Sequence, residues 1–566
     1  MDLRKIILMA FVLSGMTALI YEITWIRPLQ FVFGSTIYTA SIIFAAFMGG
    51  LALGSLIIAR YVDKIKNLPV SYGLLELGIG LYGVLLLIIF NILPDVYRAI
   101  YPLSQNFYLF EFIQFLVAFV ILLIPTTLMG ATFPIIARFY TKEKIGNSIG
   151  KIYSANNIGA IFGSFVAGFV LIPLFGIKAS IIFAGIINIL IAFVIISISS
   201  KDLVKKVIPL SIALFLIIMY FSSYNIKELY SGGLTRAGVS KGIIENTDFL
   251  YYNEGLYATV SVTKDPLEGA RVLLINGKGQ GSTAFQDLRI NLLLAYLPLI
   301  FKPESEDALV IGLGTGVTSG HLAQSIKVKT LEIEPIVVSA SEYFKPLNLN
   351  VLENSNHDLV IDDARNYLLK NKKKYDVIAS ELNDPWYSFS NPLFSKEFFE
   401  LVNEDLNRDG IFIHWVPIYE FSVEDFRSSY KTFKSVFPYI LAFANVKEDE
   451  EFPVRLQTSE IILVGSQKEI FDKKKIKRNF DDLSNESKEH LSQIWINSSD
   501  DLLNLLLFTN EEIDGYADNA ELVTDDNLRL EFSTSRNILS QNPKEIILDF
   551  EKFLEIKKEG IKAGNQ

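Results

Sequence analysis

The stretch "DALVIGLGTGVTSGHLAQSI" (307–326) decides the fold of the second half of this chain. An apolar run, Asp307 to Ile311, leads into Gly312-Leu313-Gly314-Thr315-Gly316 and then into a helical pattern. The glycines let the chain turn tightly and bring backbone against a ligand. A second strand, "VKTLEIEP" (328–335), carries Glu332 and Glu334 at its end, about 20 residues on, where a carboxylate reaches ribose hydroxyls. The glycine spacing is GxGxG, with Val317 in the third dinucleotide position, which favours a nucleoside without a pyrophosphate. A purely structural turn is the alternative.

Further strands follow in "HDLVIDDA" (357–364), "YDVIAS" (375–380) and "GIFIHWV" (410–416), with helical patterns between them. Strands alternating with helices predict a parallel, doubly wound, Rossmann-like α/β sheet. Upstream, "YATVSVTKD" (257–265) and "RVLLINGKGQ" (271–280) alternate with period two, predicting a small antiparallel β-domain at about 245–285. Asp362 and Asp363 end the third strand. Either can accept a hydrogen bond from an adenine amino group, cap the helix that follows, or do both.

The first half has a different texture. Apolar runs near 6–26, 37–59, 72–94, 108–136, 152–174, 179–199 and 207–222 are long enough to span a bilayer. They predict a polytopic helical membrane domain of about seven helices over 1–223. Pro125 and Gly130 leave 108–136 open to two passes, and 207–221 is short enough to lie in the interface. Lys and Arg cluster in alternate connections, at Arg4 and Lys5, Arg60 to Lys66, Arg138 to Lys151, and Lys201 to Lys206. The positive-inside rule assigns these to the cytoplasm, in the cell (inner) membrane. Seven spans would then place the C-terminal half outside, so its side stays open. Small residues in "GGLALGS" (49–55) and "GAIFGSFVAG" (159–168) predict close helix packing. Glu22, Glu76 and Glu111 fall at membrane depth, and Glu22 has Arg27 as a candidate partner against a substrate or proton role.

Charge follows the same division. Residues 1–223 hold 15 Lys and Arg against 8 Asp and Glu, and the remainder 37 against 54. An acidic second half argues against nucleic acid and is compatible with cationic substrates. There are no cysteines and four histidines, so thiolate chemistry is ruled out and no metal site is expected.

In "ASELNDPW" (379–386) two carboxylates, Glu381 and Asp384, stand at a strand end beside an indole. Open α/β sheets bind ligands there. An amine near pKa 10 is protonated at neutral pH and cannot attack carbon. A carboxylate can hold the cation and then take its proton. Glu381 is the candidate base and Asp384 its electrostatic partner. Trp386, Tyr387, Trp415 and Tyr419 are candidate pocket walls through cation–π contact, with core packing as the alternative.

These motifs together resemble the spermidine synthase family of polyamine aminopropyltransferases, in its bacterial membrane-fused branch. The resemblance rests on "LLINGKGQGST" (273–283), "LLLAYLPLIFKPESEDALVIGLGTGVTSG" (292–320), "LEIEP", "DDARNYL", "YDVIASELNDPW", "PLFSKEFFELVNEDLNRDGIFIHWVPIYE" (392–420) and "TDDNLRLEF" (524–532). In the first half "ALIYEITW" (18–25), "PTTLMGATFP" (125–134) and "YSANNIGAIFGS" (153–164) also fit. The resemblance implies a transferase of the EC 2.5.1 type acting in polyamine biosynthesis. It implies a sulfonium nucleoside held by Gly312, Gly314, Glu332 and Asp363 with Gln280 nearby; Gly316, Glu334 and Asp362 join these as candidates. Synthases of the family are commonly homo-oligomers. Two positions depart from the family. Its first-turn Asp is Asn276, and its Tyr-His-Glu amine-binding stretch falls on Ile290, Asn291 and Leu292.

The expectation is therefore a membrane-bound aminopropyltransferase using decarboxylated S-adenosylmethionine, with no tightly bound cofactor, a small amine acceptor and the lipid bilayer as partner. The expected domains are 1–223, a β-domain with connecting helix at 224–300, a Rossmann-like domain at 301–556, and a frayed tail at 557–566. Two alternatives stand beside it: a methyltransferase using S-adenosylmethionine, and a transporter whose second half senses a nucleoside or polyamine.

Overall fold

The computed structural model describes residues 2–141, 145–222, 246–267, 269–381, 384–387, 390–445, 459–537 and 543–564. Lys142 and Lys144, the boundary region 223–245, and Leu382 and Asn383 of the strand-end motif lie outside them. The chain forms two compact units, the first holding the N-terminal helices together with residues 253–258 and the second the α/β part.

The first unit is built from α1 (Leu3–Phe33), α2 (Ile37–Tyr61), α3 (Leu68–Ile100), α4 (Phe107–Tyr140), α5 (Ile145–Val166), α6 (Ile172–Ser199) and α7 (Lys201–Phe221). Thr36, Asn67 and Asn106 start α2, α3 and α4, each accepting a backbone N–H three residues on. Among the described residues six helices are long and apolar enough to cross a membrane, counting Ile145–Ser199 as one. The expected count was seven. The fifth and sixth stretches run together through a π turn at Ala167–Leu171 into 55 residues. That length, about 80 Å at 1.5 Å per residue, is more than twice a hydrocarbon core. The helix breaks at Gly176, where φ is 79°. Residues 107–140 form one helix despite Pro125 and Pro134, and the last helix, Pro543–Gly564, carries the expected frayed tail on to residue 564.

Small residues set the spacing of these helices. A Cβ on Gly54 would lie 2.0 Å from the Thr127 carbonyl oxygen, and one on Gly163 would lie 2.1 Å from that of Met16. Glu76 accepts from Ser14 Oγ at 2.5 Å and from Asn188 Nδ2 at 2.6 Å, so its carboxylate cross-links three helices. Arg27, the candidate partner of Glu22, donates to the Leu256 carbonyl at 2.8 Å.

The second unit opens with a four-stranded sheet in the order β1 (Asp248–Glu254), β2 (Thr259–Lys264), β3 (Arg271–Ile275), β4 (Lys278–Ser282). Helix α8 (Phe285–Phe301), buried from Leu288 onward, leads into the larger sheet. Its parallel core comprises β5 (Asp307–Ile311), β6 (Lys327–Glu332), β7 (His357–Ile361), β8 (Tyr375–Ser380) and β9 (Leu406–Val416). Between them lie α9 (Val317–Leu322), α10 (Pro335–Ser341), α11 (Ala364–Lys370) and α12 (Lys396–Asp405), with α13 (Val423–Val436) after β9.

The sheet has eight strands rather than five and is mixed rather than parallel. Its order is β12-β10-β11-β9-β8-β5-β6-β7, with β10 (Tyr439–Ala444), β11 (Ile461–Ser466) and β12 (Leu506–Thr509) antiparallel. These late strands are short apolar runs, whose periodicity specifies neither partner nor direction. From β5 the chain moves outward through β6 and β7, then returns to the other side of β5 at β8. The loops after β5 and β8 therefore diverge and open a crevice at their C-terminal ends.

Packing at Gly163 is directly testable. Gly163→Leu should destabilise the helical unit by about 1–3 kcal/mol through overpacking, read as a lower thermal midpoint in detergent. Gly146→Leu, where a Cβ meets nothing within 4 Å, should leave the midpoint unchanged.

Candidate active site

The crevice is bounded by two backbone segments in close approach. A Cβ on Gly312 would lie 2.6 Å from the Glu381 carbonyl oxygen, and Gly312 sits at φ 92°. Only glycine meets both conditions without strain. Two cavities open here and share Gln280 and Glu381 in their linings.

The first cavity gathers Gly312, Gly314, Glu332, Asp362 and Asp363. Glu332 is fixed by its own backbone surroundings: Oε2 accepts from Leu313 N at 3.1 Å and Oε1 from Glu334 N at 2.9 Å. Burial pushes its carboxyl up, against the backbone donors. Asp363 caps α11, accepting from Asn366 N at 2.8 Å, and still lines the cavity. Asp362 turns back to Asp363 N at 2.9 Å. Two expected residues lie elsewhere. Glu334 caps α10 and accepts from Ile336 N, and a Cβ on Gly316 would press on Val351 and Asn348.

The second cavity is lined by Asp287, Ile290, Asn291, Trp415, Tyr419 and Glu460, besides the shared pair. Glu381 Oε2 accepts from Thr318 Oγ1 at 3.1 Å. Burial pushes its carboxyl up to about 7; Thr318 and Asn291 pull it down, while Asp287 and Glu460 push it up. Glu460 accepts from Trp415 Nε1 at 3.2 Å and Asn445 Nδ2 at 2.8 Å. Burial, with Asp287 next, raises it to about 7. Asp287 is raised by burial, against a bond from Ser282. Three carboxylates thus face one cavity, with no Lys or Arg among the described residues lining it.

Asp384, Trp386 and Tyr387 are arranged otherwise than the sequence suggests. All three are buried and line neither cavity. Asp384 accepts from Tyr419 OH at 2.6 Å, and Lys278 Nζ lies 2.5 Å from its Oδ2. Trp386 stacks on Tyr387 at 4.1 Å between centroids. The cation facing Trp386 is the chain's own Lys278, 5.1 Å from the ring. Of the four expected aromatic walls, only Trp415 and Tyr419 line a cavity.

Sequence reasoning missed Lys278, Glu420, Asp287 and Glu460. Asp287 stands four residues before Asn291, on the same face of α8, so its place was readable. Glu460 had no local signal. It is brought in by β11, where Ile461 pairs with Val416 of β9. Among the described residues no group of three or more His, Asp or Glu could hold a metal ion.

Residues 289–447 match the Spermine/spermidine synthase domain. The chain is thus similar, through this domain, to the spermidine synthase family, and curated relatives are polyamine aminopropyltransferases. It is 22% identical over 427 residues to polyamine aminopropyltransferase 2 of Aquifex aeolicus (strain VF5), covering 74% of this chain and 81% of that one. The polyamine aminopropyltransferase of Corynebacterium efficiens is 22% identical over 421 residues, 72% of this chain and 76% of its own. A solved structure of a probable spermidine synthase from Corynebacterium glutamicum ATCC 13032 aligns with a TM-score of 0.36 and 15% identity. It covers 49% of this chain and 96% of that one.

The close approach at Gly312 yields a test. Gly312→Ala should force the β8 end outward and misplace Glu381, lowering turnover by about 10²-fold, measured as kcat at saturating substrate.

Proposed function

We propose that the chain is a membrane-bound spermidine synthase-like aminopropyltransferase, with Glu381 as the base. One observation carries this reading: a carboxylate with its pKa raised to about 7 stands between two cavities of complementary character. In the first, Gly312 and Gly314 admit the nucleoside against backbone, Glu332 takes the ribose hydroxyls and Asp363 or Asp362 the adenine amino group. The family's donor is decarboxylated S-adenosylmethionine. The amine acceptor enters the second cavity, between Asp287, Glu460 and the rings of Trp415 and Tyr419.

The acceptor arrives as an ammonium, which the carboxylates hold. Glu381 removes one proton, and the freed nitrogen lone pair attacks the propyl carbon attached to sulfur. The new C–N bond forms as the C–S bond breaks, and its electron pair returns to sulfur, leaving a neutral thioether nucleoside. A pKa near 7 suits a base working at neutral pH. Acids without a described Lys or Arg around the donor cavity favour the decarboxylated donor. Ordinary S-adenosylmethionine would bring a carboxylate against Glu332, Asp362, Asp363 and Glu381.

The membrane reading is supported by helices of spanning length whose apolar side chains point outward, among them Leu56, Val120, Ile161, Phe169 and Leu174, each at least 60% exposed. In water such a surface is costly; in lipid it is the expected exterior.

Calorimetric titration should show tighter binding of decarboxylated than of ordinary S-adenosylmethionine, and Glu332→Ala should weaken the former by about tenfold or more. Preference for the ordinary donor would overturn the reading in favour of methyl transfer. Glu381→Gln should lower kcat by about 10²–10⁴-fold with the donor still bound.

The pH dependence has a fixed sign. Glu381 must be ionised to act, so kcat/KM should rise with pH through about 7 and then level. Folded Glu381 keeps its proton between its ordinary 4.5 and about 7, whereas the unfolded chain loses it. Its contribution to stability therefore falls over the same window as pH rises. Glu381→Gln should flatten the melting-temperature profile there.

A further inference from the structure

Four groups converge on the Lys278 ammonium. Asp384 Oδ2 lies 2.5 Å from Nζ and Glu420 Oε1 2.6 Å. The rings of Trp386 and Tyr419 face it, each 5.1 Å away at the centroid. Two carboxylates and two aromatic faces are the groups that recognise an alkylammonium ligand. Here a side chain of the same polypeptide satisfies them.

The fold delivers that side chain by a short route. Asn276 and Gly277 both have positive φ, 48° and 87°, and close a two-residue turn between β3 and β4. Lys278 is the first residue after it. Tyr387 OH donates to the Ile275 carbonyl at 3.2 Å, so the hairpin end is held on both sides of its turn. Burial works against the Lys278 charge, but Asp384 and Glu420 outweigh it, and the lysine titrates above its ordinary range. The cage abuts the second cavity, because Tyr419 belongs to both and Gln280, which lines that cavity, reaches Asp384 at 3.5 Å.

We propose that Lys278 is a specificity-determining residue whose ammonium fills an alkylammonium site built by Asp384, Glu420, Trp386 and Tyr419. The acceptor is then held only by Glu381, Asp287 and Glu460. An acceptor with one ammonium too many for those three finds no place for it. Removal of the lysine side chain opens the cage and lengthens the acceptors that bind. This consequence for the acceptor rests on the aminopropyl-transfer reading; occupancy of the cage does not.

The test uses the full-length protein in detergent, as wild type, Lys278→Ala, Lys278→Met and Lys278→Arg. Ethylammonium chloride is titrated calorimetrically and by thermal shift, with sodium chloride as control. Lys278→Ala should bind ethylammonium at least about tenfold more tightly than wild type, consistent with a paired cation–π site. The added ammonium should raise its melting temperature. Lys278→Arg should retain the wild-type acceptor preference. Lys278→Met fills the space without charge and should show no rescue.

With a diamine and a triamine as acceptors, the ratio of their KM values should shift toward the triamine in Lys278→Ala, a change that mere loss of packing would not produce. Unchanged acceptor preference in Lys278→Ala, without ammonium-dependent stabilisation, would overturn the proposal. Should Lys278→Ala fail to fold even with ethylammonium, a folded Lys278→Ser with the wild-type KM ratio and no ammonium-dependent stabilisation would overturn it equally. Ethylammonium binding to Lys278→Ala with no transfer by any form would sink the transfer reading and leave the cage in place.

Discussion

The contact between Gly312 and the Glu381 carbonyl is the constraint on which the site depends. β5 and β8 are hydrogen-bonded neighbours, yet the chain visits two other strands between them. Their C-terminal ends therefore carry diverging loops, and residues of both line the first cavity, Gly312 and Gly314 from one and Ser390 and Leu393 from the other. A side chain at 312 would wedge those ends apart. Its absence lets Glu381 stand where both cavities reach it, with Thr318 from the first turn of α9 orienting the carboxylate. Sheet topology, rather than any single residue, turns a carboxylate at a strand end into a group shared by two cavities.

Charge is distributed around that junction with a clear asymmetry. Asp384 and Glu420 share the Lys278 ammonium, while Glu381 and Glu460 are pushed up by burial and by Asp287 across a cavity with no described basic lining. A buried carboxylate that has a partner is structural, because breaking the pair leaves an uncompensated charge in low dielectric. One facing a cavity and lacking a fixed cation is costly until a cation arrives. The two groups of acids thus have different work, although both sit in or beside the same motif. The same logic applies in the helical unit, where Glu76 is used by Ser14 and Asn188 within the bundle.

Much of this was legible beforehand. The strand–glycine–helix unit at 307–326, the acid after the second strand and the apolar stretches of the first half are local patterns, and local patterns survive folding. The small-residue stripes at 49–55 and 159–168 also act as read, with backbone oxygens of neighbouring helices where a Cβ would stand. Three features were not legible. Periodicity cannot tell a central strand from an antiparallel edge strand, so β10 to β12 were missed. The π turn at Ala167–Leu171, just ahead of the break at Gly176, has no local signature. An indole beside two carboxylates looks like a trap for a foreign cation, whether or not a lysine distant in sequence fills it.

The sequence by itself determined the class of the two halves, the glycine loop from Gly312, the acid Glu332 and the strand-end carboxylate Glu381, because each is specified by residues adjacent along the chain. Only the tertiary structure decided which carboxylates face a cavity. Asp287 and Glu460 meet Glu381 through α8 and the β9–β11 register, across 173 residues of sequence. Asp384 lines neither cavity, and a hairpin turn more than a hundred residues earlier inserts Lys278 beside it. Electrostatic roles depend on distance in space and on burial, and neither is written in the order of the residues.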